Sequence, residues 1–289
     1  MPAKLDRMRF ALMLILPLLW ASVASGQPAA LAPTQAQALV QRALATESRA
    51  AQDASHPVRY RLRKTSPRLI STKEIIETRD GDVARLVALN DQPLSQSEEL
   101  TEQARLDELL TDPSRQQHRK QSEQGDTGIV LKLLRMLPKA FLYQYAGTGT
   151  GPTGPVQKFT FIPNPAFSSP DVYTQALMAM SGEIWIDATA ERVTRLEGHL
   201  QQDTDYGFGV LGKLNKGGWI VLEQADMGGR QWRIARLKMQ MNLRVLFKNK
   251  NIDTVEEMTQ YAPVPANLDY KQAIEMLRGG TGSAGQASR

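Results

Sequence analysis

The sequence predicts an α+β fold in which an antiparallel sheet is covered by a few helices, on three observations. Segments with apolar residues at every second place recur between residue 57 and about residue 248, separated by turn residues such as Asp80-Gly81. Four helical segments stand apart from these runs. The order is one helix, several strands, an inserted helical stretch, then a long run of strands. At 289 residues, 42% of them hydrophobic, the chain can bury one large core or two small ones.

The first residues, MPAKLDRMRFALMLILPLLWASVASGQ, carry a basic head, an apolar run from Phe10 to Ala21, and small residues Ala24 and Gly26 before Gln27. This is the pattern of a secretory signal over residues 1–26, cleaved near Gln27, which implies a periplasmic mature protein. The apolar run is shorter than the roughly 20 residues that span a bilayer, and Pro17 interrupts it. The chain has no cysteine, so the exported domain is built without disulfides and offers no site for a lipid anchor. Losing three cations and one anion with the signal lowers the net charge from +5 to +3, and no basic block stands out, which argues against a nucleic-acid partner.

From Pro33 to about Asp53, Thr34 is placed to cap a helix whose stripe carries Leu39, Ala43 and Leu44. PVRYRLRK then alternates Val58, Tyr60 and Leu62 with Arg59, Arg61 and Arg63, a strand with its arginines in water. In STKEIIETRDGDVARLVALNDQPLS two strands flank Arg79-Asp80-Gly81-Asp82, where Asp-Gly supplies the positive φ of a tight hairpin. Ser95 and Glu98 form a capping box ahead of Leu100, Leu106, Leu109 and Leu110, so a helix runs to about Asp112. SRQQHRKQSEQGDTG reads as a linker or an exposed helix.

GIVLKLLRMLPKAFLYQY reads as a nearly all-apolar helix from residue 128 to 145, kinked or ended by Pro138. Its charges, Lys132, Arg135 and Lys139, leave Leu133, Leu134, Met136 and Leu137 in need of apolar partners, so the turns from Ile129 to Leu137 form a lid or plug over the sheet. Past a flexible GTGTGPTGP, VQKFTFIPNP alternates again, and GEIWIDATAERVTRLEG reads as two strands about a polar corner. Ile184 and Ile186 share one face of that hairpin, with Glu183, Trp185 and Asp187 on the other; the pattern leaves open which face is inward. In RIARLKMQMNLRVLFK every odd place is apolar from Ala235 to Phe247, as one very long strand or two joined near Asn242. LDYKQAIEMLR is a last short helix, and residues 279–289 have nothing to bury and read as a disordered tail.

Little points to catalysis. His56, His118 and His199 lie in no metal-ligand spacing, so the sequence predicts neither a metal nor a cofactor. In DYGFGVLGKLNKGG, Lys213 is followed by leucine and no helix, so the glycines read as bends between strands. No serine sits in a nucleophile elbow, and Asp203 and Asp205 fit an exposed strand end as well as a cation or acid/base pair. The expectation is therefore not an enzyme. The stripe of Leu237, Met239, Met241 and Leu243 is either sheet core or the lining of an adaptable apolar pocket. Together with Leu133, Leu134, Leu137 and Phe141 of the apolar helix it forms the candidate ligand-binding set.

The phrases TKEIIETRDGDVARLVALNDQPLS, MLPKAFLYQY, FIPNP and GEIWIDATAERVTRLEG, in this order of elements, resemble the LolA/LolB-like superfamily of periplasmic lipoprotein carriers and outer-membrane lipoprotein-sorting proteins over roughly residues 33 to 277. The resemblance implies a single curved antiparallel half-barrel domain over residues 27–278, with a helical insertion at about 95–140 and an apolar hollow that accepts acyl chains. It implies a soluble carrier of lipid or acylated protein, with an inner- or outer-membrane protein as a further partner. The alternative is a periplasmic sensor or scaffold that binds a partner protein and fills the hollow with its own side chains. A hydrolase with an unrecognised site ranks third.

Overall fold

The computed structural model describes residues 31–206, 212–245 and 248–279. The predicted signal, nearly all of the predicted tail, part of the glycine-rich run and Phe247 lie outside the described residues. Helix α1 (Pro33–Ala50) leads into β1 (Val58–Thr65), β2 (Ile70–Ile76), β3 (Val83–Leu89) and the two-residue β4 (Gln92–Pro93). Helices α2 (Gln96–Thr111) and α3 (Pro113–Ala140) follow, then β5 (Phe141–Gly151) and β6 (Gly154–Pro163). A short α4 (Val172–Gln175) and a 3₁₀ turn (Ala176–Ala179) precede β7 (Met180–Asp187), β8 (Val193–Leu200), β9 (Thr204–Tyr206) and β10 (Gly212–Leu214). The chain ends with β11 (Trp219–Asp226), β12 (Trp232–Val245), β13 (Lys248–Pro263) and α5 (Tyr270–Gly279).

Among the described residues the strands form one antiparallel sheet in the order β4-β3-β2-β1-β13-β12-β11-β8-β7-β6-β5, with β9 and β10 attached beside β12. Its two ends do not meet, so the sheet is an open half-barrel with helices as its cover. The first and last strands of the main domain, β1 and β13, lie side by side near its middle. Cross-strand ion pairs lace both of their faces, Arg61 to Glu74 and Arg63 to Asp91 and Glu257 on one, Lys64 to Glu256 on the other. The arginines of β1 thus meet carboxylates as well as water.

Three apolar clusters hold the cover to the sheet. In the first, Val40, Ala43 and Leu44 of α1 and Leu137 and Ala140 of α3 pack on Phe141, Tyr143, Phe159, Phe161, Ile184, Ile186 and Val193. In the second, Leu106 and Leu109 of α2 and Ile274 and Leu277 of α5 cover Ile76 and Val83. In the third, Ala179 of the 3₁₀ turn meets Leu200 and Met241. Residues Ile184 and Ile186 therefore face inward, while Trp185 lies outside beneath Lys158, 4.0 Å from its ring centroid, and beside Arg195.

Three local expectations change, and two open alternatives are decided. Helix α1 begins at Pro33, and the Ala32 N–H donates to Gln35 Oε1 at 3.2 Å, so Thr34 is not its cap. Of the two readings of the polar run after Pro113 the exposed helix holds, and it is continuous with the apolar turns as the first half of α3, 28 residues long. Asp112 caps it by accepting from the Ser114 N–H, and its side chains clamp the Arg79–Asp82 turn. Gln116 Nε2 donates to the Asp80 carbonyl at 2.9 Å, Lys120 Nζ to that of Arg79 at 2.8 Å, and Glu123 Oε2 accepts from the Asp82 N–H at 2.9 Å. Residues Phe141–Tyr145 belong to β5 rather than the helix, because Phe141 and Tyr143 are buried while Leu142 and Gln144 are exposed, a period of two. GTGTGPTGP is the end of the β5–β6 hairpin, with Gly151 opposite Gly154. Strand β12 runs through Asn242 without a turn, since β13 pairs with it from Arg236 to Val245.

Candidate functional site

The apolar stripe of α3 meets the inner face of the sheet across a cavity of about 270 Å³. Val130, Leu134 and Leu137, at i, i+4 and i+7, project from one side of the helix and line it. The opposite wall is a cross-strand row: Ile184 on β7 faces Leu196 on β8, which faces Leu222 on β11, and all three line the cavity. Directly opposed residues in an antiparallel sheet share a face, so the register alone builds this wall. Leu44 from α1 and Val193, Trp232 and Ile234 from the strands complete the apolar lining. Val130 lines the cavity and is 48% exposed, so the cavity reaches solvent at that turn of α3.

One end of the cavity is polar and ordered. Glu47, four residues after Ala43 on the buried stripe of α1, accepts from Arg192 Nε at 2.7 Å and Arg192 Nη2 at 2.9 Å. It also accepts from the Val193 N–H at 2.9 Å and from Gln224 Nε2 at 3.1 Å. A buried carboxylate with four donors keeps its charge compensated and has no lone pair left for proton abstraction. The Arg192 guanidinium also lies 5.6 Å from the Trp232 ring centroid. This network ties α1 to β8 and β11 and fixes the floor of the cavity.

The residues named from sequence divide among three places. Leu134 and Leu137 line the cavity. Leu133 packs against the first cluster, and Phe141 is buried within it, its ring 4.5 Å from that of Phe161. Leu237 sits directly opposite Leu222 and extends the same row by one strand, beyond the lining. Met239 and Met241 enter the third cluster with Leu200 and Ile220, and Leu243 stands opposite Leu214. The apolar helix and the β12 stripe thus share the inner face, but the cavity lies against the start of β12, not its methionines. Glu47, Arg192, Gln224, Trp232 and Arg233 were not singled out from sequence. A glutamate in the stripe Val40, Ala43, Leu44, Glu47 was the available signal, because a carboxylate on a buried face requires a partner.

Asp203 pairs with Lys213 at 2.7 Å and accepts from the Lys216 N–H, the arrangement of a strand end. Among the described residues no three His, Asp or Glu side chains converge as metal donors. No described helix is long and apolar enough to cross a membrane.

No family model matches the chain, and no curated protein matches it. Among solved structures, the chain is similar to one described as an outer membrane lipoprotein-sorting protein domain from Vibrio parahaemolyticus, at 9% identity. The match covers 83% of this chain and 99% of that domain, with a TM-score of 0.32.

Proposed function

We propose that this protein is a periplasmic carrier that binds an acyl chain in the cavity between α3 and the inner face of the sheet. The observation that carries the reading is the cavity itself: an apolar hollow of about 270 Å³, open at Val130 and walled by leucines and isoleucines from six elements. Each methylene moved from water into such a lining contributes about 0.8 kcal/mol, so a chain of several carbons offsets the cost of ordering it. The lining supplies shape and apolarity and no free general base, which fits binding rather than turnover. The export pattern of residues 1–26 supports the compartment.

Native mass spectrometry of protein purified without detergent tests the reading. Expected is a 1:1 adduct of an acyl compound, or uptake of a fluorescent fatty acid added to the apo protein. A wild-type protein that takes up neither would replace this reading with the partner-binding scaffold. The scaffold reading is favoured by the third cluster, where Met239 and Met241 fill the upper part of the inner face with the protein's own side chains.

A further inference from the structure

We infer that the cavity takes a single-chain amphiphile with one anionic head group, paired by Arg233, and a tail of about ten carbons. The inference rests on the acyl-carrier reading and specifies its cargo.

The size of the cavity limits the tail. A methylene fills about the space of one water molecule, roughly 30 Å³, so a volume of 270 Å³ holds about nine of them. One medium-length chain fills the hollow, and carbons beyond that length leave through the opening at Val130.

The charges around the cavity select the head. Four polar or charged residues line it: Glu47, Arg192, Gln224 and Arg233. The first three satisfy one another, with the Arg192 charge matched by Glu47 across two hydrogen bonds. Arg233 is different. Its Nη2 donates to the His56 carbonyl at 2.6 Å, while its Nε is buried and has no acceptor. No carboxylate among the described residues lies in ion-pair contact with it, Glu77 acting only at longer range. A buried donor without an acceptor is costly, and a carboxylate or phosphate oxygen relieves that cost while neutralising the charge. Arg233, like its neighbours Trp232 and Ile234 on β12, is part of the lining, so a head group paired there sits at the cavity that Leu222, Leu196 and Leu134 wall.

Calorimetric titration of the full-length mature protein with hexanoate, octanoate, decanoate, dodecanoate and hexadecanoate reads the tail. Affinity is expected to rise roughly fourfold per methylene up to about ten carbons and then level off. A continued rise to hexadecanoate, or no dependence on length, overturns the size argument. Decanoate, decyl phosphate and decanol compared at equal length read the head. At least one of the two anions is expected to bind about tenfold or more tightly than decanol, and their order tells a carboxylate from a phosphate site. In Arg233→Gln that preference should vanish, so that the anions and decanol bind alike, while Arg233→Lys should retain most of it. Equal binding of decanol in wild type, or a preference that survives Arg233→Gln in a folded variant, overturns the assignment. A triacylated lipopeptide that binds when decanoate does not would sink this inference and leave the carrier reading standing. Failure of every acyl compound would sink the carrier reading itself.

Discussion

The guanidinium of Arg192 and the carboxylate of Glu47 meet face to face, at 2.7 and 2.9 Å, across 145 residues of sequence. Both side chains are about nine-tenths buried, so neither charge has water to fall back on. Glu47→Ala leaves a buried guanidinium unpaired and should cost about 3–5 kcal/mol in urea unfolding. Replacing both residues with methionine should recover most of that loss, because two apolar side chains do not carry an unmet desolvation penalty. A double variant no more stable than the single one would show that the pair contributes more than it costs to bury.

Leu134 lines the cavity from α3 and packs only partly against the first cluster. Leu134→Glu should therefore abolish uptake of a fluorescent fatty acid while the strand signal in circular dichroism persists. Global unfolding of this variant, with a wild type that takes up no probe, would mark the helix as permanent core.

Ile184 has no exposed surface and forms one end of the cavity wall, between Phe159 of the first cluster and Leu196. Truncation to alanine should destabilise by about 2–5 kcal/mol, the range for deleting a buried branched side chain. Gly182, two residues earlier, has no room for a Cβ, which would collide with the Glu197 carbonyl oxygen on the facing strand. Gly182→Ala should lower the midpoint of thermal unfolding although it adds a single methyl; an unchanged midpoint would mean that β7 and β8 part without cost.

Asp82 closes the turn that α3 clamps, and its carboxyl is pushed up to about 7, first by burial and then by Glu123 and Glu77 nearby. Burial raises Glu77 and Glu123 as well. An acid raised in the folded state binds its proton more tightly there than in the unfolded chain. Its contribution is complete below the unfolded value of about 3.9 and is lost as pH climbs through about 7. Urea midpoints should therefore fall from pH 5 to pH 8 in wild type and fall less in Asp82→Asn. Equal slopes in the two proteins would remove Asp82 as the cause.

Export makes a prediction independent of the fold. The mature protein should begin near Gln27 in a periplasmic fraction, as read by N-terminal sequencing. An intact Met1 in the cytoplasm would contradict it.

A strict period of two makes the strands legible in the sequence, around Ile184 with isoleucine and tryptophan and from Ala235 to Met241 with leucine and methionine. Strand β13 was not, although it is 16 residues long. Its NIDTVEEMT stretch is too polar to show a buried face, and its order comes from partners on both sides, β1 and β12. The first half of α3 was legible only as one of two alternatives, and its clamp on the Arg79–Asp82 turn was not, because it uses glutamine, lysine and glutamate that read locally as solvent-facing. The site divided along the same line. Leu134 and Leu137 follow from helical spacing, whereas Arg192 and Arg233 acquire meaning only beside Glu47 and His56, far away in sequence.

Placing β1 beside β13 has a kinetic consequence. Arg63 lies opposite Glu257, a loop of 194 residues that must close before the middle of the sheet exists. Pairings of such long range make folding slow, since chain entropy is lost well before the contact rewards it. A ribosome or a translocation channel releases the N-terminal strand first, and that strand must wait, unpaired on one side, until the last strand has emerged. The molecule is thereby kept from completing its sheet until Lys248–Pro263, near its C-terminal end, has been released.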